Sequence, residues 1–140
     1  MKFLIIFGLF CVLSVSESCK CLVSDVKHHY CSDDFAIKIQ VTTDKQKTKD
    51  PHEVWYGFSL LEVFKASSST QSAMLHARIY TSAESASCGR DLQKGQTYII
   101  TGHMNDRKPY VHSCGFGKEV NELTAEEKLF FKNEYKTVQC

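Results

Sequence analysis

No catalytic signature stands out in this chain. The sequence has no Gly-x-Ser-x-Gly elbow, no phosphate-binding glycine loop, no His-Glu-x-x-His pattern and no conspicuous pair of carboxylates. It carries no excess of either charge, with 17 basic against 16 acidic residues, so composition gives no argument for nucleic acid or an anionic membrane as partner. It also lacks an Asn-x-Ser/Thr acceptor for N-linked glycan. After the first 15 residues no long apolar run follows. These absences point away from an enzyme and away from a membrane anchor.

What is present begins with a leader. Lys2 supplies a positive start, Phe3 to Val15 is apolar, and Ser16 and Ser18 are small, the layout of a secretory signal cleaved after Ser18. The apolar run is too short to span a bilayer and no stop-transfer pattern follows. The reading is therefore a signal peptide at 1–18 and one secreted, extracellular domain at 19–140. Removing Lys2 and Glu17 leaves the net charge at +1.

Of the seven cysteines, Cys11 falls within the leader. The remaining Cys19, Cys21, Cys31, Cys88, Cys114 and Cys140 form an even set, which in an oxidising compartment reads as a disulfide framework. Six cysteines allow 15 connectivities. Three lie early and three far downstream, so the simplest scheme ties each early cysteine to a late one. Each such closure would contribute roughly 4 to 5 kcal/mol in the chain-entropy model. With every thiol committed, a Cys-His nucleophile is unavailable. His28 and His29 beside Cys31 could be imagined as metal ligands with Cys19 and Cys21, but disulfides fit the compartment better.

Phe35, Ile37, Ile39 and Val41 alternate with polar or small residues over Asp34 to Thr43, the period of a half-buried strand. Asp44 to Glu53 is charged, contains Pro51 and reads as a solvated hairpin connection. Further strands are predicted at Val54 to Lys65, Met74 to Thr81, Gln96 to Gly102 and Pro109 to Cys114, with the Ser-rich Ala66 to Ser72 as loop. The aromatics and lysines of Trp55 to Lys65 resemble an oligonucleotide surface, but near-neutral charge and secretion favour core packing. Thr124 to Glu127 is a capping box, predicting a helix over 125–136 with Ala125/Leu129 and Phe131/Tyr135 as apolar pairs. Five strands and a terminal helix suit a mainly β Greek-key barrel of OB type.

The amino terminus offers chemistry of its own. A free α-amine has a pKa near 7.7 to 8.0, and the amine and carbonyl oxygen of Cys19 could clasp a metal in a five-membered ring. Such a group could displace the water of a catalytic zinc in a partner enzyme.

CKCLVSDVKHHYC at Cys19 to Cys31, IYTSAESASCG at Ile79 to Gly89, YIITG at Tyr98 to Gly102 and LTAEEKLFFKNEY at Leu123 to Tyr135 together resemble the amino-terminal, netrin-like domain of the tissue inhibitors of metalloproteinases. The resemblance covers nearly all of residues 19–140. It implies a five-stranded OB-fold with three disulfides, pairing Cys19 with Cys88, Cys21 with Cys114 and Cys31 with Cys140. It implies a monomeric inhibitor of extracellular zinc metalloproteinases, with no cofactor of its own, in which Cys19 chelates the target's zinc and Lys20 enters the primary specificity pocket. Cys21 and Leu22 would continue along the cleft, and Ser85, Ala86, Ser87 and Cys88 would form a neighbouring contact strand. Two departures stand out. Vertebrate members carry a second disulfide-rich domain, so its activities are not implied here, and the pocket position usually holds a small Thr or Ser rather than Lys20. The alternative is a netrin-like binding module that engages a cell-surface receptor or matrix component.

Overall fold

The structure is a computed structural model that describes residues 19–140. The expected leader, 1–18, lies outside the described residues. The first element is a short helix, α1 (Val26–Ser32), capped by Asp25, whose carboxylate accepts from the His28 amide at 2.7 Å. Sequence periodicity did not predict it, because only Val26 and Tyr30 turn inward, an i,i+4 pair too short to register as a pattern. Its other end is closed by Lys65, whose ammonium donates to the carbonyls of Tyr30, Cys31 and Asp33.

The strands are β1 (Phe35–Val41), β2 (Gln46–Lys47), β3 (Glu53–Lys65), β4 (Arg78–Ser82), β5 (Thr97–Asn105), β6 (Lys108–Tyr110) and β7 (Gly117–Glu119). β1 holds the centre. It pairs antiparallel with β3 on one side and with β5 on the other, and β3–β4–β6–β5 completes a closed five-stranded barrel. β3 serves both walls: Phe58 to Lys65 face β1, while Glu53 to Gly57 face β4. Gly57 marks the change of partner, where an added Cβ would lie 2.7 Å from the Thr43 side chain. β5 and β6 form a two-residue hairpin through Asp106 and Arg107, both at positive φ, the twist-compatible form. The expected OB-type barrel with a carboxy-terminal helix and three disulfides is the fold observed.

Several boundaries differ from expectation. The Ser-rich stretch is not a loop but largely a helix, α2 (Ser68–Met74), because Ser67 caps it and Thr70 and Met74 bury one face. Met74 therefore ends a helix, and the following strand starts only at Arg78, after Ala77 turns through positive φ. The last predicted strand stops at Tyr110. Val111 to Phe116 leave the sheet as a loop carrying Cys114, and β7, which was not expected, then pairs with β5.

The helix α3 (Ala125–Lys132) begins with the expected capping box, Thr124 and Glu127 satisfying each other's backbone amides. It ends at Asn133, before the predicted 136, and a 3₁₀ turn follows at Glu134–Lys136. The expected Ala125/Leu129 pair faces outward, and Leu129 is half exposed. Phe130 and Phe131 are the buried residues instead, since two adjacent rings can cover the barrel end together.

Among the described residues two apolar clusters result. The barrel interior holds Phe35, Ile37, Ile39, Val41, Tyr56, Phe58, Ile79 and Ile100. A second cluster lies between the barrel and helices α1 and α3, where the Phe64 and Phe131 rings meet at a tilt with centroids 4.8 Å apart and Tyr30 meets Phe130 edge-on at 5.3 Å. Each such aromatic pair contributes about 1 kcal/mol beyond its burial. Among the described residues no helix is long and apolar enough to cross a membrane.

Candidate functional site

Residues 19–25, ahead of α1, have no regular secondary structure. Cystines hold them instead. Cys19 is joined to Cys88 and Cys21 to Cys114, with Cα separations of 5.2 and 5.1 Å, while Cys31–Cys140 ties α1 to the chain's last residue. The first two cystines pack on each other, the Cys19 and Cys114 sulfurs being 3.3 Å apart. Cys19, Cys88 and Cys114 thus bring three sulfurs within metal-cluster distance, but disulfide sulfurs are not thiolates and make no zinc site. Between and beyond the bridges the side chains stand in solvent: Lys20 and Cys21 are exposed, Leu22 is 91% exposed and Val23 fully so.

Ser85, Ala86, Ser87 and Cys88 lie beside this ridge, linked to it by the Cys19–Cys88 bridge. They are not the expected contact strand. β4 ends at Ser82, and Ser85–Ser87 form a single 3₁₀ turn closed by Cys88 in the left-handed region. The amides of Ser87 and Gly89 both return to the Glu84 carbonyl, and that of Cys88 to Ser85. Gly89 is required here, since a Cβ would lie 2.3 Å from the Ser82 carbonyl oxygen and 2.9 Å from that of Glu84. Ser85, Ala86 and Ser87 are exposed. The turn also touches the β2–β3 hairpin, through the Ala83 amide on the His52 carbonyl and a 3.4 Å contact between the His52 ring and Glu84.

Arg90 organises the rest. Its guanidinium donates to the carbonyls of His112, Ser113, Gly115 and Gly117, and its own amide donates to the Thr81 hydroxyl at 2.8 Å. One side chain therefore shapes the loop that carries Cys114. Burial lowers its pKa, partly offset by Tyr98, but a guanidinium starts far above neutrality and stays charged. The Ser113 amide donates to the Cys88 carbonyl, joining loop to turn. Behind them the Thr101 hydroxyl donates to Asp33 and accepts from the Phe116 amide. Lys118 reaches Glu127 at 2.6 Å, locking β7 to α3; burial pushes that carboxyl up, but Lys118 and the Thr124 amide outweigh it and hold it below its usual value. His112 is half-buried above the loop, its imidazole pKa lowered by burial and by His103, with Asp33 opposing and Arg90 and His29 adding to the effect.

Arg90 was not singled out from sequence. The available signal was its place directly after Cys88-Gly89, one residue from a bridged turn.

A closed OB-type barrel whose amino-terminal residues are bridged by two cystines to a turn and a loop on one rim defines a netrin-like module. The chain belongs to the tissue inhibitor of metalloproteinase family, whose profile matches residues 17–140. It is 27% identical over 126 residues to the tissue inhibitor of metalloproteinase of Drosophila melanogaster, covering 89% of this chain and 58% of that protein. Metalloproteinase inhibitor 3 of Gallus gallus is 24% identical over 124 residues, 86% of this chain and 57% of its own. The chain thus spans under three fifths of the length of these relatives.

Proposed function

We propose that this protein is a secreted inhibitor of extracellular zinc metalloproteinases, rather than an enzyme, and that it acts through Cys19 once residues 1–18 are removed. The observation that carries this reading is the ridge: an irregular segment held by two cystines, with Lys20 to Val23 projecting into solvent beside the exposed turn at Ser85–Ser87. A segment fixed before binding loses little conformational freedom on docking. Cleavage after Ser18 would free an α-amine whose ordinary pKa of about 7.7 to 8.0 leaves a neutral fraction at physiological pH. That nitrogen and the Cys19 carbonyl oxygen are donors that suit zinc, and together they would take the place of the water on a target's metal. Lys20 would enter the specificity pocket, Cys21 and Leu22 would follow the cleft, and Ser85 to Cys88 would flank it. The family membership supports the same target class.

Lys20 shapes the choice of target. An ammonium entering an apolar pocket loses its water without return, so the reading favours a protease whose pocket supplies a carboxylate.

The test compares protein beginning at Cys19 with protein carrying one extra Ala before it, against several metalloproteinases. Inhibition should fall at least about a hundredfold in the extended form. Equal inhibition by both, or by neither, overturns chelation. Lys20→Thr should strengthen inhibition of proteases with apolar pockets, and an unchanged constant counts against the pocket assignment.

A further inference from the structure

Two histidines that are not neighbours in sequence meet on the outer wall of the barrel. His103 lies on β5, and His112 stands two residues beyond the end of β6. Antiparallel register sets His103 against Tyr110, so a residue two further on lies diagonal to His103 on the same face. Val111 shows that the alternation of β6 persists this far. It is buried, and its amide donates to the Tyr80 carbonyl, continuing the parallel pairing of β4 with β6. His112 is thereby carried back outward, and its ring centroid lies 5.5 Å from that of His103 with the planes tilted by 54°. Tyr110 lies beside His103 with planes 21° apart, which orients that ring.

Both rings are half-buried, and among the described residues neither imidazole makes a hydrogen bond. The bonds of His112 run through its carbonyl, to Arg90 and the Gly115 amide. Two neutral imidazoles so placed offer nitrogen lone pairs with no partner in the fold. Spacing decides what the pair can hold. With bonds of about 2.0 to 2.1 Å to nitrogen, and each nitrogen about 1.2 Å from its ring centroid, two imidazoles on one tetrahedral ion have centroids about 5.2 Å apart. The observed 5.5 Å matches that spacing closely. His28 and His29 form the other close pair, but their centroids are 5.9 Å apart with planes at 79°, and consecutive helical positions diverge by about 100°.

We infer that His103 and His112 bind one late first-row divalent cation, copper(II) or zinc(II), and that the ion clips the Cys114 loop to β5. Imidazole selects these ions over calcium and magnesium, which take oxygen ligands, and the ordinary order of affinity puts copper first. Among the described residues no third imidazole, thiolate or carboxylate completes the ligand set, since the one trio at ligand spacing is the bridged Cys19, Cys88 and Cys114. The ion therefore keeps water in its remaining positions. Charge around the pair is mixed. Arg90 and His29 oppose a cation near His112, while Asp33, held by the Thr101 hydroxyl, favours it. The guanidinium of Arg90 is already turned to the carbonyls of His112, Ser113, Gly115 and Gly117, which offset its charge. The site is distinct from the Cys19 amine, because its donors are side chains of β5 and the Cys114 loop.

Calorimetric titration of protein beginning at Cys19 with CuCl2 and with ZnCl2, in a non-coordinating buffer near pH 7.5, tests the site, with CaCl2 and MgCl2 as comparisons. Copper and zinc should bind, copper more tightly, and calcium and magnesium should not. The Cys19 amine is present in every protein compared, so the readout is the difference between variants. His103→Gln and His112→Gln should each abolish one binding event or weaken it at least about tenfold. His28→Gln with His29→Gln, a loss of two imidazoles on α1, should leave that event within about twofold. Zinc should raise the melting temperature of the wild type more than that of His103→Gln. Absence of copper and zinc binding, unchanged binding in the two single variants, an equal response to calcium, or a loss as large in the His28 and His29 pair overturns the proposal. Thermal melts without metal identify any variant that fails to fold; should His112→Gln do so, His103→Gln, on the regular strand β5, carries the test with the same expected direction. None of these outcomes depends on inhibition of a protease.

Discussion

β1 and the segment just ahead of α1 present opposite ways of holding a backbone in place. In β1 every other side chain is buried in the barrel, both edges are paired, and Ile37 and Ile39 have no exposed surface. In residues 19–25 no ladder forms, Leu22 and Val23 face water, and position is set by two cystines at one end and by a turn and loop that Arg90 shapes at the other. Burial holds the barrel but would bury any side chain it fixes. Covalent bridges and backbone hydrogen bonds fix the ridge while leaving its side chains available. A docking segment needs the second arrangement, and the cystine-rich rim supplies it on a barrel of only moderate size.

The largest expected effect separates the two regions by stability alone. Ile100 has no exposed surface in the barrel interior, so Ile100→Ala should cost about 3 kcal/mol through lost burial and the cavity left behind. Chemical denaturation should show that loss, while the inhibition constant of the remaining folded protein stays the same. A weakened constant would mean that the ridge is not independent of the barrel interior.

Arg90→Met should give a smaller loss, about 2 kcal/mol, by depriving several loop carbonyls of their donor. Here inhibition should fall as well, about tenfold, because the Cys114 loop positions Cys21. Loss of stability with an unchanged inhibition constant would show that the cystines alone hold the ridge, and would remove Arg90 from the comparison.

The barrel was legible in sequence where one face of a strand is buried and the other wet, as in β1; β3 was legible from its aromatic and β-branched residues, and Thr124 with Glu127 announces α3. α2 was not legible, because Ser68 to Ser72 has the composition of a loop and becomes helical through its cap and two inward residues. Leu129 misled because i,i+4 spacing cannot distinguish which of several stripes meets the core, and Phe130 and Phe131 prevail by ring area. At the candidate site the cysteine spacing pointed to Cys19 and Cys21, and the family resemblance supplied their disulfide partners and the roles proposed for them. Arg90 escaped because its acceptors are backbone carbonyls, which carry no residue signature. Trp55 escaped for the opposite reason: it is a residue that composition assigns to a core, and it stands half-buried on the outer face of β3 between buried Val54 and Tyr56.

The smallest expected effect concerns pH, and it falls on the rim rather than the barrel. His112 sits where the Cys114 loop, β5 and α1 converge, facing His103, Arg90 and His29, with Asp33 the opposing charge. Burial first, then His103, with Arg90 and His29 adding to it and Asp33 opposing, hold its folded-state pKa below the ordinary value of 6.5. The unfolded chain therefore takes up the proton first as pH falls. Stability from this group is complete above the unfolded value and declines as pH drops through it towards the folded value, below which the loss levels off. Denaturation midpoints at about pH 5.5 and pH 7.5 should differ more in the wild type than in His112→Gln, which keeps a polar side chain and cannot titrate. Equal differences in the two proteins would assign the acid sensitivity elsewhere, and a larger difference in the variant would reverse the sign of the argument. If Cys19 chelates zinc as proposed, inhibition followed over the same range should decline towards acid in both proteins, because protonation of its amine would compete with the metal whatever occupies position 112.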